Sequence, residues 1–252
     1  RAASVLALSV LVGFLILLSV PSGVAAAASS TTCTPVATPS GDVSDPNEAF
    51  DTAAHVIATF NFARQQEGCT VSLSIDPTAY AAATPQMQVL MLLNAERQDR
   101  GLGALQLDST LLSQIDLNHD KEMVQYNYFG HPSPINQLGA ASPPTARDMA
   151  NPAVNGHNTL CCGENLAAGS SNVPGGGSAA DSIYRFMYQD SASNWGHRKN
   201  ILGYIPQVDS SFGHYTWVGI GIATGGHYGV YYGIDFLEDS STTPYTPPSS
   251  CL

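Results

Sequence analysis

The sequence has few basic residues. Nine Lys and Arg stand against 20 Asp and Glu among 252 residues, which gives a formal net charge of −11. The few basic residues form no cluster along the chain. Because nucleic-acid binding depends on Lys and Arg that neutralise phosphates, we exclude nucleic acid as a partner.

Three common motifs of metal and hydrolase sites are missing as well. The chain has no Cys-x-x-Cys pair of the kind that holds structural zinc. It has no His-Glu-x-x-His helix motif and no Gly-x-Ser-x-Gly nucleophile elbow. The sequence therefore gives no support to a cysteine zinc site, a zincin-type peptidase or a serine hydrolase of that class.

An apolar run from Val5 to Val20 dominates the N-terminus. It follows a basic residue, Arg1, and leads into the small residues Ala25–Ala28. This order is typical of a secretory signal peptide, and the run is shorter than the roughly 20 residues that span a bilayer. We predict a signal peptide over 1–28, a flexible leader over 29–45 and a secreted, extracellular mature chain without a transmembrane segment. An uncleaved membrane anchor is the alternative.

Five cysteines in an exported chain favour disulfides. Because the number is odd, at least one thiol is left unpaired or pairs between chains. A bond between the adjacent Cys161 and Cys162 would be strained, so each is expected to reach a distant partner. The connectivity stays open at this point. The five are Cys33, Cys69, Cys161, Cys162 and Cys251.

Four segments have the apolar periodicity of helices. Thr84 is placed to cap the second, with Pro85 at its first position, and Asp108 is placed to cap the third. His119 falls on the apolar stripe of the third helix and is expected to be a hydrogen-bonded core histidine. The predicted helices cover about Asn47–Arg64, Thr84–Arg100, Asp108–Tyr126 and Ser178–Tyr188.

Two C-terminal segments alternate apolar and small residues, Tyr215–Ala223 and His227–Phe236. Around a Gly-Gly turn, they predict an antiparallel hairpin. One face of that hairpin has unusually small residues: Gly219, Gly221 and Gly233. We therefore expect helices to pack closely on this face and the sheet to be covered on both sides. A disordered tail is predicted over 239–252.

The stretch Gly163–Gly169 places Glu164 and Asn165 side by side between glycines. Glycines permit sharp turns, so we expect a bend here, within a long segment from Gly130 to Gly177 that lacks periodicity. Loops of that length are commonly functional. Segments with His131 and His197 flank the stretch, and one carboxylate with two imidazoles from three segments predicts a site.

Seven short motifs and one residue pair follow one another in a fixed order along the chain. They are Leu93-Asn94-x-x-Arg97, Gly101-Leu102, His119 with Met123, Tyr128-Phe129-Gly130-His131, Gly163-Glu164-Asn165-Leu166-Ala167, Trp195-Gly196-His197-Arg198-x-Asn200-Ile201-Leu202, Val218-Gly219-Ile220-Gly221, and Tyr228-Gly229 through Asp235-Phe236. This ordered set resembles the bacterial secreted branch of the CAP superfamily, which contains the SCP-like domains: cysteine-rich secretory proteins, antigen 5 and pathogenesis-related proteins. The resemblance covers about Pro85 to Phe236 and rests on the order of the motifs, since no single one is specific.

The resemblance implies an α+β fold, a three-layer α-β-α sandwich with a central antiparallel sheet, here over residues 46–238. It also implies a cleft with a His, Glu, Glu, His set that often holds a divalent metal. Position by position, the set falls on His131, Glu164 and His197. The second acid falls on Gln189, so this chain departs from the family, and the neighbouring Asp190 is the candidate replacement.

The resemblance thus predicts a cleft that contains His131, Glu164, Asn165, Gln189, Asp190 and His197. His131, Glu164 and His197 are the candidate ligands of a divalent cation, with zinc favoured by the two imidazoles. We expect a secreted binding protein for a small ligand or metal, not a robust enzyme, and assign no catalytic residue. The alternatives are a metal-dependent, peptidase-like hydrolase and an envelope module that binds lipid or wall polymer.

Overall fold

The computed structural model describes Cys33 and residues 38–135, 144–155, 163–203, 214–239 and 245–247. The predicted signal peptide and Cys161, Cys162 and Cys251 lie outside these ranges. The helices are α1 Ala53–Gln66, α2 Pro77–Ala82, α3 Pro85–Gln98, α4 Leu111–Tyr126, α5 Pro144–Met149, α6 Pro152–Asn155, α7 Ala179–Tyr188 and α8 Gly196–Leu202, and the strands are β1 Gln106–Leu107, β2 Gly163–Ala168, β3 Trp217–Gly225 and β4 Gly229–Leu237.

The four strands form one open mixed sheet in the order β1-β3-β4-β2. Strands β3 and β4 are the predicted hairpin and pair antiparallel, with Gly221 opposite Gly233. Strand β2 pairs antiparallel with β4, whereas the short β1 pairs parallel with β3. The α+β fold is confirmed, with one parallel pairing that the sequence pattern did not indicate.

Helix α4 lies directly on the glycine face of the hairpin. A Cβ atom at Gly221 would meet the backbone of Leu117, and one at Gly219 would meet that of Leu112. The opposite face carries the main core, in which Ile220 and Ile234 are buried among the side chains of α1, α3 and α7. The sheet is therefore covered on both sides, as the small glycine face predicts.

Local signals position three helices where the sequence predicts them. Thr84 accepts a hydrogen bond from Met87 N and caps α3, and Ser178 accepts one from Asp181 N and caps α7. The carboxylate of Asp108 accepts bonds from the N–H groups of Thr110, Leu111 and Leu112 at 2.8, 3.0 and 3.1 Å. It thus caps α4 from just before its first turn.

The predicted bend at Gly163–Gly169 is wrong, because residues 163–168 form strand β2. Every residue of this stretch from Gly163 to Ala168 has a partner on β4, and Glu164 lies opposite Asp235. The glycines allow close approach here: a Cβ at Gly163 would lie 2.9 Å from Tyr215 Oη. The segment predicted as a long loop also contains α5 and α6.

Two parts of the predicted leader contact the folded chain. Cys33 forms a disulfide with Cys69, 36 positions later. Val43 N donates a 2.8 Å hydrogen bond to Tyr188 O at the end of α7. Within the described ranges, no helix combines the length and apolar character needed to cross a membrane.

Candidate functional site

His131, Glu164 and Arg147 meet on the α4 side of the sheet. His131 Nδ1 lies 2.8 Å from Glu164 Oε1. Arg147, from α5, donates to Glu164 Oε2 and, at 2.7 Å, to the carbonyl oxygen of His131. The Glu164 side chain is 1% exposed and the His131 ring 43%. Both carboxylate oxygens of Glu164 are therefore engaged, while the imidazole reaches solvent.

A second imidazole is held in the same way by Asp190. His197 Nδ1 lies 2.7 Å from Asp190 Oδ1. The other oxygen of Asp190 accepts from the N–H groups of His197 and Arg198, at 3.0 and 3.2 Å, at the start of α8. The ring of His197 packs on Phe186 with a centroid distance of 4.7 Å. Asp190 thus fixes both the helix start and the orientation of the ring.

Asn165 connects strand β2 to α8. Its side chain is fully buried, donates to His197 O at 3.0 Å and accepts from Asn200 Nδ2 at 2.9 Å. Because neighbouring residues of a strand point to opposite faces, Glu164 and Asn165 reach around the two sides of β2. This edge strand therefore brings the His131 and His197 segments to one edge of the sheet.

Gln189 lies outside this arrangement. Its Nε2 donates to Val43 O and to Glu48 Oε2, both at 2.9 Å. Its Oε1 accepts from Arg185. Gln189 is thus engaged with the segment before α1, and Asp190 is the acid that contacts His197.

Each ring has a defined proton position. A carboxylate only accepts hydrogen bonds, so Nδ1 of His131 and of His197 must carry the proton in these pairs. Nε2 of each neutral ring is then an acceptor, and the described residues include no hydrogen-bond partner for it. Burial lowers the pKa of His131, and the charges of His197 and Arg147 lower it further. The neutral form of His131 is therefore favoured at neutral pH.

The predicted metal set is not assembled in this structure. Among the described residues, no group of three or more His, Cys, Asp or Glu side chains is arranged to hold a metal ion. The physical reason is Arg147, whose guanidinium already supplies the positive partner of Glu164. Glu164 would have to leave this partner to ligate zinc, so the residues present do not fit a resident metal.

His119 is a core residue, as predicted. It is 4% exposed, and its Nε2 lies 3.1 Å from Gly130 O. Burial, with a contribution from the charge of Arg147, lowers the pKa of His119 to about 4. Arg147 could not be predicted from the sequence, because it lies in a segment without periodicity and next to no recognisable motif.

Comparisons with known proteins give weak likenesses only. No family model and no curated protein matches the chain. Among solved structures, an extracellular protein containing an SCP domain from Bacillus anthracis str. Ames is 23% identical with a TM-score of 0.42, over 65% of this chain and 44% of that one. An outer surface protein from Borrelia burgdorferi is 13% identical with a TM-score of 0.44, over 66% of this chain and 97% of that one.

Proposed function

We propose that the chain is an extracellular CAP-domain protein whose cleft binds a small ligand through His131 and His197. One observation carries the proposal: each imidazole is fixed through Nδ1 by a buried carboxylate, Glu164 or Asp190, while Nε2 is left for a ligand. A buried carboxylate that orients a histidine serves to aim its other nitrogen. The ordered CAP-like motifs and the signal-like N-terminus support the extracellular assignment.

The ligand class follows from the donor set. With the proton on Nδ1, each ring in its neutral form offers Nε2 as an acceptor, so the ligand brings N–H or O–H donors. The carboxylate of Glu164 is already neutralised by Arg147, so the cleft needs no cation to balance its charge. We therefore favour a small polar ligand over a resident zinc ion, with zinc bound weakly through the two imidazoles alone.

Zinc is nonetheless a useful probe of the two nitrogens. We would titrate the wild-type protein with zinc sulfate by calorimetry, alongside His131→Ala and His197→Ala. Loss of either ring should lower the affinity at least about tenfold. His55→Ala is the matched control, because His55 pairs with Asp51 through Nδ1 at 2.6 Å on the surface of α1. Equal zinc binding by the wild type and both cleft variants would contradict the proposal.

A second candidate function, binding of an envelope lipid or polymer, is favoured by exposed aromatic rings. Phe129 and Tyr228 are each 44% exposed, and their ring centroids lie 5.9 Å apart. Phe129 precedes His131 by two residues, so this surface borders the cleft.

Sedimentation with phosphatidylglycerol vesicles would test binding of a lipid surface. Binding should fall in Phe129→Ser and persist in Tyr126→Ser, an exposed aromatic on α4. Wild-type protein that stays in the supernatant would exclude a lipid surface.

A further inference from the structure

Four aspartates converge between α4 and the sheet, beside the cleft residues and separate from the two imidazoles. Asp116 and Asp120 come from α4, Asp148 from α5 and Asp235 from β4. None is more than 2% exposed. The carboxyls of Asp116 and Asp120 fit here because the sheet residue below them is a glycine. A Cβ at Gly233 would lie 3.1 Å from Oδ1 of both Asp116 and Asp120.

Two of these carboxyls lack ordinary hydrogen-bond donors. Within the described part of the chain, neither oxygen of Asp148 or Asp235 accepts from an N–H or hydroxyl group. What lies within hydrogen-bonding reach of Asp235 is two further carboxyls, those of Asp116 and Asp148. Two carboxylate oxygens in contact repel each other unless a proton or a cation lies between them.

The remaining carboxyl oxygens are satisfied only in part. Asp116 Oδ2 accepts from Asp235 N at 3.3 Å, and Asp120 Oδ2 accepts from Gly233 N at 3.0 Å. Asp120 Oδ1 has no donor among the described residues. Backbone donors on β4 thus hold α4 in place, but they leave the carboxyl–carboxyl contacts uncompensated.

The charged groups that face the cluster do not balance it. Arg147 is the cation that acts on Asp120, Asp148 and Asp235, and it is already paired with Glu164. Acidic and phenolic groups face the cluster from the other elements. They are Glu164 opposite Asp235 on β2, and Tyr245, which lies near Asp148 and donates to Asp108.

We propose that Asp116, Asp148 and Asp235 share protons and stay partly protonated in the folded protein at neutral pH. Protons are favoured over a metal ion because the described residues include no cluster with metal-binding geometry. A protonated carboxyl donates to its neighbour, so the shared protons turn repulsive contacts into hydrogen bonds. They fasten α5 to α4 and β4.

The direction of the pKa shifts agrees with this geometry. Burial raises the pKa of Asp116 and of Asp148 well above the usual range, and the charge of Asp235 raises each further. Burial also raises the pKa of Asp120 to about 8. Each group keeps in the folded state a proton that it loses on unfolding, so the stability falls as the pH rises from the ordinary pKa of Asp towards the raised values.

The cluster has a consequence for the cleft. Asp148 is adjacent in sequence to Arg147, which holds both Glu164 and the backbone of His131. As the pH rises and the protons leave, repulsion acts on α5 and on the residue that orders the cleft. The cluster thus attaches α5 to α4 and β4 in a pH-dependent way. This role does not depend on which ligand the cleft binds.

Urea unfolding of the oxidised protein as a function of pH tests the proposal. Between about pH 5 and pH 7, where an ordinary Asp is ionised, each retained proton should raise the unfolding constant about tenfold per pH unit. Asp116→Asn and Asp148→Asn should each flatten this dependence. Asp42→Asn is the control, because Asp42 is exposed and bonded to Ser191, which belongs to none of α4, α5 and β4; it should leave the slope unchanged.

Carbon-13 NMR of the aspartate carboxyls in the wild-type protein provides a readout that needs no variant. We expect at least one carboxyl to remain protonated at neutral pH. The proposal is overturned if every Asp carboxyl is ionised by about pH 5, near the ordinary range. It is equally overturned if all are ionised and calcium chloride stabilises the protein, since a cation would then take the place of the protons.

Discussion

The guanidinium of Arg147 donates a hydrogen bond to the buried carboxylate of Glu164, 17 positions further along the chain. The same guanidinium holds the carbonyl of His131, whose ring contacts the other carboxylate oxygen. The central carboxylate of the candidate site is therefore the middle of an Arg-Glu-His relay. Because Arg147 and His131 occupy both carboxylate oxygens, Glu164 orients the imidazole and has no oxygen left for a metal ion.

Breaking the Arg147–Glu164 pair should destabilise the fold. Glu164→Gln keeps the size of the side chain but leaves a guanidinium that is only 10% exposed without its anion. Loss of one partner of a buried pair costs about 3–5 kcal/mol. The free energy of unfolding in urea measures this. The double variant Arg147→Met with Glu164→Gln should recover part of the lost free energy of unfolding. If the losses of the two single variants simply added, the two residues would not interact.

The close contact between α4 and β3 predicts that Gly221 tolerates no side chain. Gly221→Ala would push a methyl group into the backbone of Leu117, so we expect a loss of about 1–3 kcal/mol or more. Gly103→Ala is the matched control, since a Cβ there meets nothing within 4 Å. Thermal unfolding monitored by circular dichroism compares the two. A neutral effect of Gly221→Ala would mean that α4 lies further from the sheet.

Asp108→Ala should cost more than an ordinary cap deletion. Besides three backbone N–H groups, Asp108 accepts a 2.6 Å hydrogen bond from Tyr245 Oη. Loss of the cap and of the hydrogen bond from Tyr245 together predict a loss of about 2–4 kcal/mol. Asp76→Ala removes a single exposed cap bond on α2 and should cost about 0.5–1 kcal/mol. Equal losses in urea unfolding would contradict the role of Asp108.

The pH dependence of Asp108 has the opposite sign to that of the aspartate cluster. Burial alone would raise its pKa, but hydrogen bonds from Tyr245 and Thr110 outweigh this effect and lower the pKa. The stabilisation of the fold by the Asp108 carboxylate is present above the ordinary pKa of Asp. It is lost as the pH falls through the lowered pKa of Asp108. In Asp108→Ala the stability should therefore fall less steeply under acid conditions than in the wild type. If the free energy of unfolding fell equally steeply with decreasing pH in the variant and in the wild type, this assignment would be contradicted.

The Cys33–Cys69 bond should stabilise the chain against unfolding. It closes a loop with a sequence separation of 36 residues, and loops of this length predict a contribution of about 2–4 kcal/mol. Cys33→Ser with Cys69→Ser should lower the melting temperature relative to the oxidised wild type. Treatment with a reductant should lower the melting temperature of the wild type more than that of the variant, because the variant already lacks this bond. Identical melting of both oxidised proteins would mean that the bond adds no stability.

The sequence predicted the parts of the fold that have strong local signals. Thr84 and Asp108 cap their helices as expected, and the glycines of β3 and β4 correctly indicated a close helix. Strand β2 was missed because Gly163 and Asn165 have low strand propensity. Its pairing with β4 and the burial of Asn165 against α8 override that propensity, and neither is visible in a local pattern.

The candidate site likewise contains residues that the sequence could indicate and residues that it could not. His131, Glu164 and His197 could be named because the order of motifs around them resembles a family. The roles of Arg147 and Asp190 depend on contacts between distant segments, and the aspartate cluster draws on α4, α5 and β4. In the sequence these aspartates look like solvated charges, since only the fold reveals that they are buried together.

The protonation of the two imidazoles tests the central claim most directly. Long-range ¹H–¹⁵N NMR of the wild-type protein reports which ring nitrogen carries the proton. At neutral pH we expect a neutral His131 with the proton on Nδ1, a bare Nε2 and a pKa below the ordinary value, and a proton on Nδ1 of His197. A proton on Nε2 of His131, or a His131 ring still charged at neutral pH, would contradict a cleft built to present two acceptors.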